Sequence, residues 1–273
     1  MTRFAGLLDA GRPVVMAILN VTPDSFSDGG KFYSTDAAVA RALEMIREGA
    51  DIIDVGGEST RPGAASVSTE EELARVLPVI EALRQVSDVP ISIDTSKAAV
   101  IKAAAAAGAD LINDVYALRN PGALAAAAAS GLPVCLMHMQ GEPRTMQQNP
   151  HYDDLIAEIR AFFLERIAAC ESAGIPRSRL ILDIGFGFGK TPLHNVQLIN
   201  RLKAFADLER PLLVGLSRKS TIGKIVPDRL IGSIAGALLA VEEGASMLRV
   251  HDVAATVHAL RIRAAIRDES IPE

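Results

Sequence analysis

The sequence predicts an α/β fold: one (β/α)8 barrel domain over 1–273, with mobile first and second βα loops over its C-terminal mouth. Three observations predict it. Eight short apolar runs, each bounded by turn residues, recur along the chain. An Ala/Leu-rich helical pattern follows each, as parallel strands require, because each needs a crossover and an apolar helix face to cover the sheet. No Pro/Ser/Gly-rich linker divides the 273 residues, a length near the roughly 250 residues of a one-domain α/β barrel.

In order, the strand runs are "PVVMAIL" from Pro13, "ADIIDV" from Ala50, "PISID" from Pro90 and "ADLINDV" from Ala109. "PVCLMHM" from Pro133, "LILDIG" from Leu180, "LLVGLS" from Leu212 and "MLRVHD" from Met247 complete the set. Between them, "DAAVARALEMIREGA" reads as a helix capped at Asp36 and stopped at Gly49. "STEEELARVLPVIEALRQV" opens with the capping-box spacing of Ser68 and Glu71. The alanine run "KAAAAAGAD" is a strong helix former ended by Gly108.

Composition narrows the function classes. The chain is 49% hydrophobic with a formal net charge of −5, and its basic residues are dispersed, which argues against a nucleic-acid partner. Cys135 and Cys170 have neither metal nor disulfide spacing and read as reduced core thiols of a cytoplasmic protein. "MTRFAGLLDAGRP" is too short in apolar residues for a signal peptide. No stretch approaches the roughly 18 apolar residues of a membrane span, so a soluble protein is expected.

The strand exits are unusually polar: Asn20; Asp54 with Glu58 and Arg61; Asp94; Asn113 with Asp114; His138; Asp183; Ser217 with Lys219; Arg249 with His251. One such residue would be a cap or a satisfied core group; in a barrel eight converge on one mouth, where polar groups bind or react. Asp94, Asn113 and Asp183 offer acceptors to a guanidine-like heterocycle. Mg²⁺ ligation is the rival use of those carboxylates. Arg61, Lys219, Arg249 and His251 suit a phosphate or pyrophosphate, although each could pair with a surface carboxylate such as Glu58 or Asp252. Strand alternation aims Arg249 and His251 to one side. In "DIGFGFGKTPLHN" three glycines allow close backbone approach and Phe186 and Phe188 offer stacking faces, while the spacing is not that of a P-loop. "NVTPDSFSDGG", at the end of the first strand, is too polar for core and carries an unexplained Phe26.

Together "AILNVTPDSFSDGG", "DIIDVGGESTRPGA", "ISIDTSK", "INDV", "DIGFGFGKTPLHN", "GLSRKSTIG" and "LRVHDVAAT" resemble the dihydropteroate synthase family of pterin-binding TIM barrels, in the family's order over residues 14–256. Ile184 departs from it, standing where proline is common, which should alter strand-end rigidity more than chemistry. The resemblance implies a transferase of folate biosynthesis, joining 6-hydroxymethyl-7,8-dihydropterin pyrophosphate to 4-aminobenzoate by an SN1-like step. It implies a pterin site of Asp94, Asn113, Met137, Asp183, Gly187 and Lys219. It implies a pyrophosphate site of Asn20, Thr60, Arg61, Arg249 and His251, with Mg²⁺ contacted by Asn20. Phe26, Thr60, Pro62, Phe188, Ser217 and Lys219 would bind 4-aminobenzoate, which is also the sulfonamide site. Asp28, Arg61, Lys219, Arg249 and His251 would act in catalysis, the "NVTPDSFSDGG" loop closing as a lid on Gly29 and Gly30. A homodimer is the family's usual state. Two other barrels remain as alternatives: a pterin-holding domain of corrinoid methyltransferases, and an aldolase-like enzyme with Lys219 as Schiff-base lysine.

Overall fold

The structure, a computed structural model, describes residues 3–4, 6–22, 35–59, 66–142 and 145–271. Among these, the eight apolar runs form β1 (Val14–Asn20), β2 (Ile52–Gly56), β3 (Ile91–Asp94), β4 (Leu111–Asp114), β5 (Val134–Met137), β6 (Leu180–Asp183), β7 (Leu212–Val214) and β8 (Met247–Val250). They pair in sequence order and close into a barrel, β8 meeting β1 in parallel with Met16 beside Arg249.

Helices α1 (Thr35–Arg47), α2 (Thr69–Val86), α3 (Ala98–Ala106), α4 (Ala123–Ser130), α5 (Leu155–Ser172), α6 (Pro192–Asn200), α7 (Ser220–Ile225), α8 (Arg229–Glu242) and α9 (Val253–Arg267) cover the strands. Ser68 caps α2 as expected, its Oγ accepting the Glu71 N–H at 3.1 Å. Asp36 does not cap α1. The helix already includes Thr35, so Asp36 sits in its first turn, where its charge still favours the positive end of the helix dipole. Gly108 and Gly49 follow their helices at φ +103° and +104°, a left-handed region that a side chain would strain. The β7–β8 crossover holds two helices, α7 and α8, where the sequence pattern suggested one.

The two-residue period of a strand divides each run between two cores. Side chains such as Val15, Ile53, Ile93, Val134 and Leu182 face the helices and join Phe163 and Phe205 in the outer core. Their neighbours Met16, Ile52, Leu111, Cys135, Ile181, Leu213 and Met247 fill the barrel, and Phe4, from the N-terminal segment, packs on this inner plug. Ile184 is fully buried in the outer core, so its side chain serves packing rather than the mouth.

The outer core is anchored by Phe163 on α5, which is fully buried and meets the Phe205 ring edge-on at 6.0 Å. Truncation there leaves a cavity the close-packed layer cannot collapse. Phe163→Ala is expected to cost about 3–5 kcal/mol of stability in urea unfolding, with the barrel's circular dichroism retained below the transition.

Candidate active site

Two residues above the inner plug, the same strand period places polar groups in the mouth. Ile52 leads to Asp54, Leu111 to Asn113, Cys135 to Met137, Ile181 to Asp183 and Met247 to Arg249. Register then sets neighbours: Asp54 lies beside Ser92, Asp94 beside Asn113, and Met137 beside Asp183.

Arg249 ties the layer together. Its Nε donates to Asp54 Oδ2 at 2.6 Å and one Nη2 hydrogen goes to Asp94 Oδ2 at 2.7 Å. Asp54 Oδ2 also accepts from Asn113 Nδ2 at 3.1 Å. Burial raises the Asp94 pKa, and Arg249 opposes that rise. The guanidinium itself gains protonation strength, since the attraction of Asp54 and Asp94 outweighs its own burial. Arg249 therefore meets Asp54 and Asp94 rather than Glu58 or Asp252. Those two pair with Lys97 and Arg218.

Opposite, Asp183 Oδ1 accepts the Gly185 N–H at 2.8 Å, and burial raises its pKa against the pull of Lys219. Lys219 donates to the Phe186 carbonyl, and its ammonium lies 4.6 Å from the Phe188 ring centroid. Burial pushes the Lys219 pKa down to about 8. Lys219 sits at the cap of α7, past its strand. Met137, Met139, Met146 and Val115 form an apolar wall with Phe188 packed against it, a surface suited to a flat ring.

The glycine loop is shaped by contact. Gly185, at φ +64°, carries no side chain because a Cβ would fall 1.8 Å from the His138 carbonyl oxygen. Gly187 donates its N–H to Asn195 Oδ1 at 2.7 Å, and a Cβ there would meet Lys219 Cδ at 3.2 Å.

Three sequence expectations, for His138, Asp114 and Phe186, need correction. His138 is buried away from the mouth, because strand period turns it toward the helices: its ring meets Phe162 edge-on at 4.9 Å and its Nδ1 lies 2.9 Å from Lys190 Nζ. Burial and Lys190 hold its pKa well below the usual histidine value. Asp114 likewise faces outward and accepts N–H groups from Tyr116 and Leu118, both at 2.8 Å. Phe186 belongs to the outer core, leaving Phe188 as the mouth aromatic of that loop. Ser217 is buried, its Oγ accepting the His251 N–H at 3.1 Å and lying 3.1 Å from His251 Nδ1, which ties it to the histidine. Phe26, Asp28, Gly29, Gly30, Thr60, Arg61 and Pro62 lie outside the described residues.

Asn20 ends β1 beside Gly56, half-buried at the rim. Among the described residues no group of three or more His, Cys, Asp or Glu is arranged to hold a metal. One neutral amide oxygen fits an Mg²⁺ that brings its own phosphate oxygens and waters, as that ion usually does.

A flat apolar wall, buried acceptors on four strands, a cation on β8 and another at the cap of α7 suit a barrel enzyme that binds a pterin-like heterocycle. The family model described as "Pterin binding enzyme" matches residues 16–251. The dihydropteroate synthase of Escherichia coli (strain K12) is 58% identical over 259 residues, 93% of this chain and 92% of that one. A Yersinia pestis dihydropteroate synthase solved with a sulfonamide drug complex is 56% identical, with a TM-score of 0.90 over 96% of both chains. That of Xanthomonas albilineans, solved with 7,8-dihydropteroate, is 50% identical, with a TM-score of 0.86 over 96% of this chain and 95% of that one. The chain belongs to the dihydropteroate synthase family and is a transferase.

Replacing Gly185 forces either a strained left-handed alanine or a shift of the loop that carries Phe186 and Phe188. Gly185→Ala is expected to lose about 1–3 kcal/mol in thermal or urea unfolding, together with pterin affinity measured by calorimetry.

Proposed function

We propose a division of labour for the dihydropteroate synthase reaction, in which 6-hydroxymethyl-7,8-dihydropterin pyrophosphate and 4-aminobenzoate give 7,8-dihydropteroate and pyrophosphate. The observation that carries it is the single polar layer above the apolar plug, with acceptors on β3, β4 and β6 facing Arg249 and Lys219. Asp94, Asn113 and Asp183 accept the amino and ring N–H groups of the pterin. Met137 packs on its face beside Gly187, and Lys219 donates to its carbonyl/N5 edge.

The pyrophosphate leaves a methylene attached to an electron-rich ring, so C–O cleavage precedes attack and the ring delocalises the cation in an SN1-like step. Arg249 and His251 receive the departing charge, with Asn20, Thr60 and Arg61. Asn20 is the residue that would hold an Mg²⁺ arriving with the pyrophosphate, and that ion would supply further neutralisation of the leaving group. Buried carboxylates beside the pterin favour the cation. The aniline nitrogen of 4-aminobenzoate is neutral at pH 7 and needs no strong base.

Phe26 and Asp28 of the first βα loop and Thr60, Arg61 and Pro62 of the second, all outside the described residues, serve the 4-aminobenzoate side of the reaction. With Phe188, Ser217 and Lys219 they form the aminobenzoate pocket and exclude water from the cation. The pairing of Ser217 with His251 supports placing that pocket beside the leaving group. The chain serves as one pterin-binding domain over 1–273. Homodimerisation is supported by Leu230, Ile231 and Leu239 exposed on α8 and Ile262 and Ile266 on α9. Cytoplasmic residence is supported by two buried free thiols, and no described helix is long and apolar enough to cross a membrane.

The direct test is pyrophosphate release with Mg²⁺ and the dihydropterin pyrophosphate, with and without 4-aminobenzoate. Aminobenzoate-dependent release with dihydropteroate as product is expected; pterin binding without turnover would refute the reading. Lys219 also sets a pH signature. Its protonated form is the donor, and its pKa is lowered to about 8, so kcat/KM should fall as pH rises through about 8. Lys219→Arg should move that alkaline limb upward in a pH–rate profile.

A further inference from the structure

Asp54 has no role in the reaction as assigned, yet it is fully buried at the centre of the polar layer. It lies on β2 in the mouth layer, one register step deeper than Asp94: its register partner on β3 is Ser92, whereas Asp94 pairs with Gly56. A ligand in the mouth meets Asp94 first. Asp54 instead touches two groups that do face the ligand, Arg249 through Nε at 2.6 Å and Asn113 through Nδ2 at 3.1 Å.

Both contacts fall on one oxygen, Oδ2, and each fixes an orientation. Holding Nε leaves the Nη edge of the guanidinium pointing outward, where Nη2 now meets Asp94 at 2.7 Å. Holding the amide nitrogen of Asn113 turns its Oδ1 away as an acceptor. The other oxygen, Asp54 Oδ1, has no hydrogen-bond partner among the described residues, and neither has Ser92 Oγ on the neighbouring strand. Two such buried groups at one register step suit an ordered internal water.

We propose that Asp54 is a positioning residue for the reaction, a buried pivot that fixes the pyrophosphate-facing edge of Arg249 and the pterin-facing oxygen of Asn113 at once. The inference rests on the roles given above to Arg249 and Asn113. A carboxylate two strands from Arg249 thereby couples recognition of the ring to handling of its leaving group.

The experiment is a double-mutant cycle on full-length protein with Asp54→Asn and Arg249→Gln, reading kcat/KM for the dihydropterin pyrophosphate and the melting temperature of every variant. Loss of a buried charge-assisted hydrogen bond predicts a fall of about tenfold or more for Asp54→Asn. In the Arg249→Gln background the same change should cost less than about twofold, because residues acting as a unit are not additive. Arg249→Lys keeps the charge but loses the fork held at Nε and Nη2, and it should lose nearly as much as Arg249→Gln. Should Asp54→Asn fail to fold, Asp54→Glu, which keeps the carboxylate but displaces its oxygens, takes its place in the same cycle, with the same loss expected. Losses that multiply in the double variant, or near-normal activity in Arg249→Lys, would overturn the inference while leaving the synthase reading intact. Absence of aminobenzoate-dependent product from the wild type would overturn both.

Discussion

The Arg249 guanidinium, clasped between Asp54 and Asp94, is the interaction on which the rest of the mouth depends. Three buried charges are costly unless each is paired, and a carboxylate left alone there would take up a proton. The clasp exists only because the barrel closes. Arg249 on β8 reaches Asp54 on β2 and Asp94 on β3, contacts spanning 195 and 155 residues of chain, with β1 between them. Fold and site are thus one problem: the strand that completes the cylinder brings the cation with which its acidic neighbours pair.

Below the clasp, the strand period alone separates scaffold from chemistry. Apolar side chains fill the cylinder at one level, and one step of two residues exchanges them for acceptors, a methionine and an arginine. The plug keeps water out from below and so strengthens every charge–dipole contact above it. The same dryness depresses the Lys219 pKa and raises those of Asp94 and Asp183. The glycine loop works by absence of side chain. Only a bare Gly185 lets the chain pass against the His138 carbonyl, and that path sets the Phe186 carbonyl on Lys219.

Much of this was legible in the sequence. Eight apolar runs with eight polar exits sufficed for the barrel, because parallel strands must alternate with covering helices and must open at one end. Asp94, Asn113, Asp183 and Arg249 stood out because they lie at or next to strand ends, and Lys219 because it follows one. What strand ends do not reveal is direction. His138 and Asp114 are one residue out of phase with Met137 and Asn113, and they serve the outer layer. Counting back from the plug residues would have shown that, had their inward set been known. Asp54 was visible as a polar exit, but its partner lies far along the chain, and no local spacing records a contact made by closure. Lys190 escaped for a similar reason: it reads as a surface residue after a glycine loop, yet it is buried against His138.

Acceptors on separate strands are proposed to form one pterin-recognition surface that holds the ring even when no pyrophosphate is attached. Calorimetric titration of the wild type and Asp183→Asn with 6-hydroxymethyl-7,8-dihydropterin, which lacks the pyrophosphate, tests it most directly. Asparagine can still accept the Gly185 N–H but loses the charge that meets the ring donors. Saturable one-site binding to the wild type, weakened about tenfold or more in the variant, is the predicted result. Equal affinity in both proteins would contradict it.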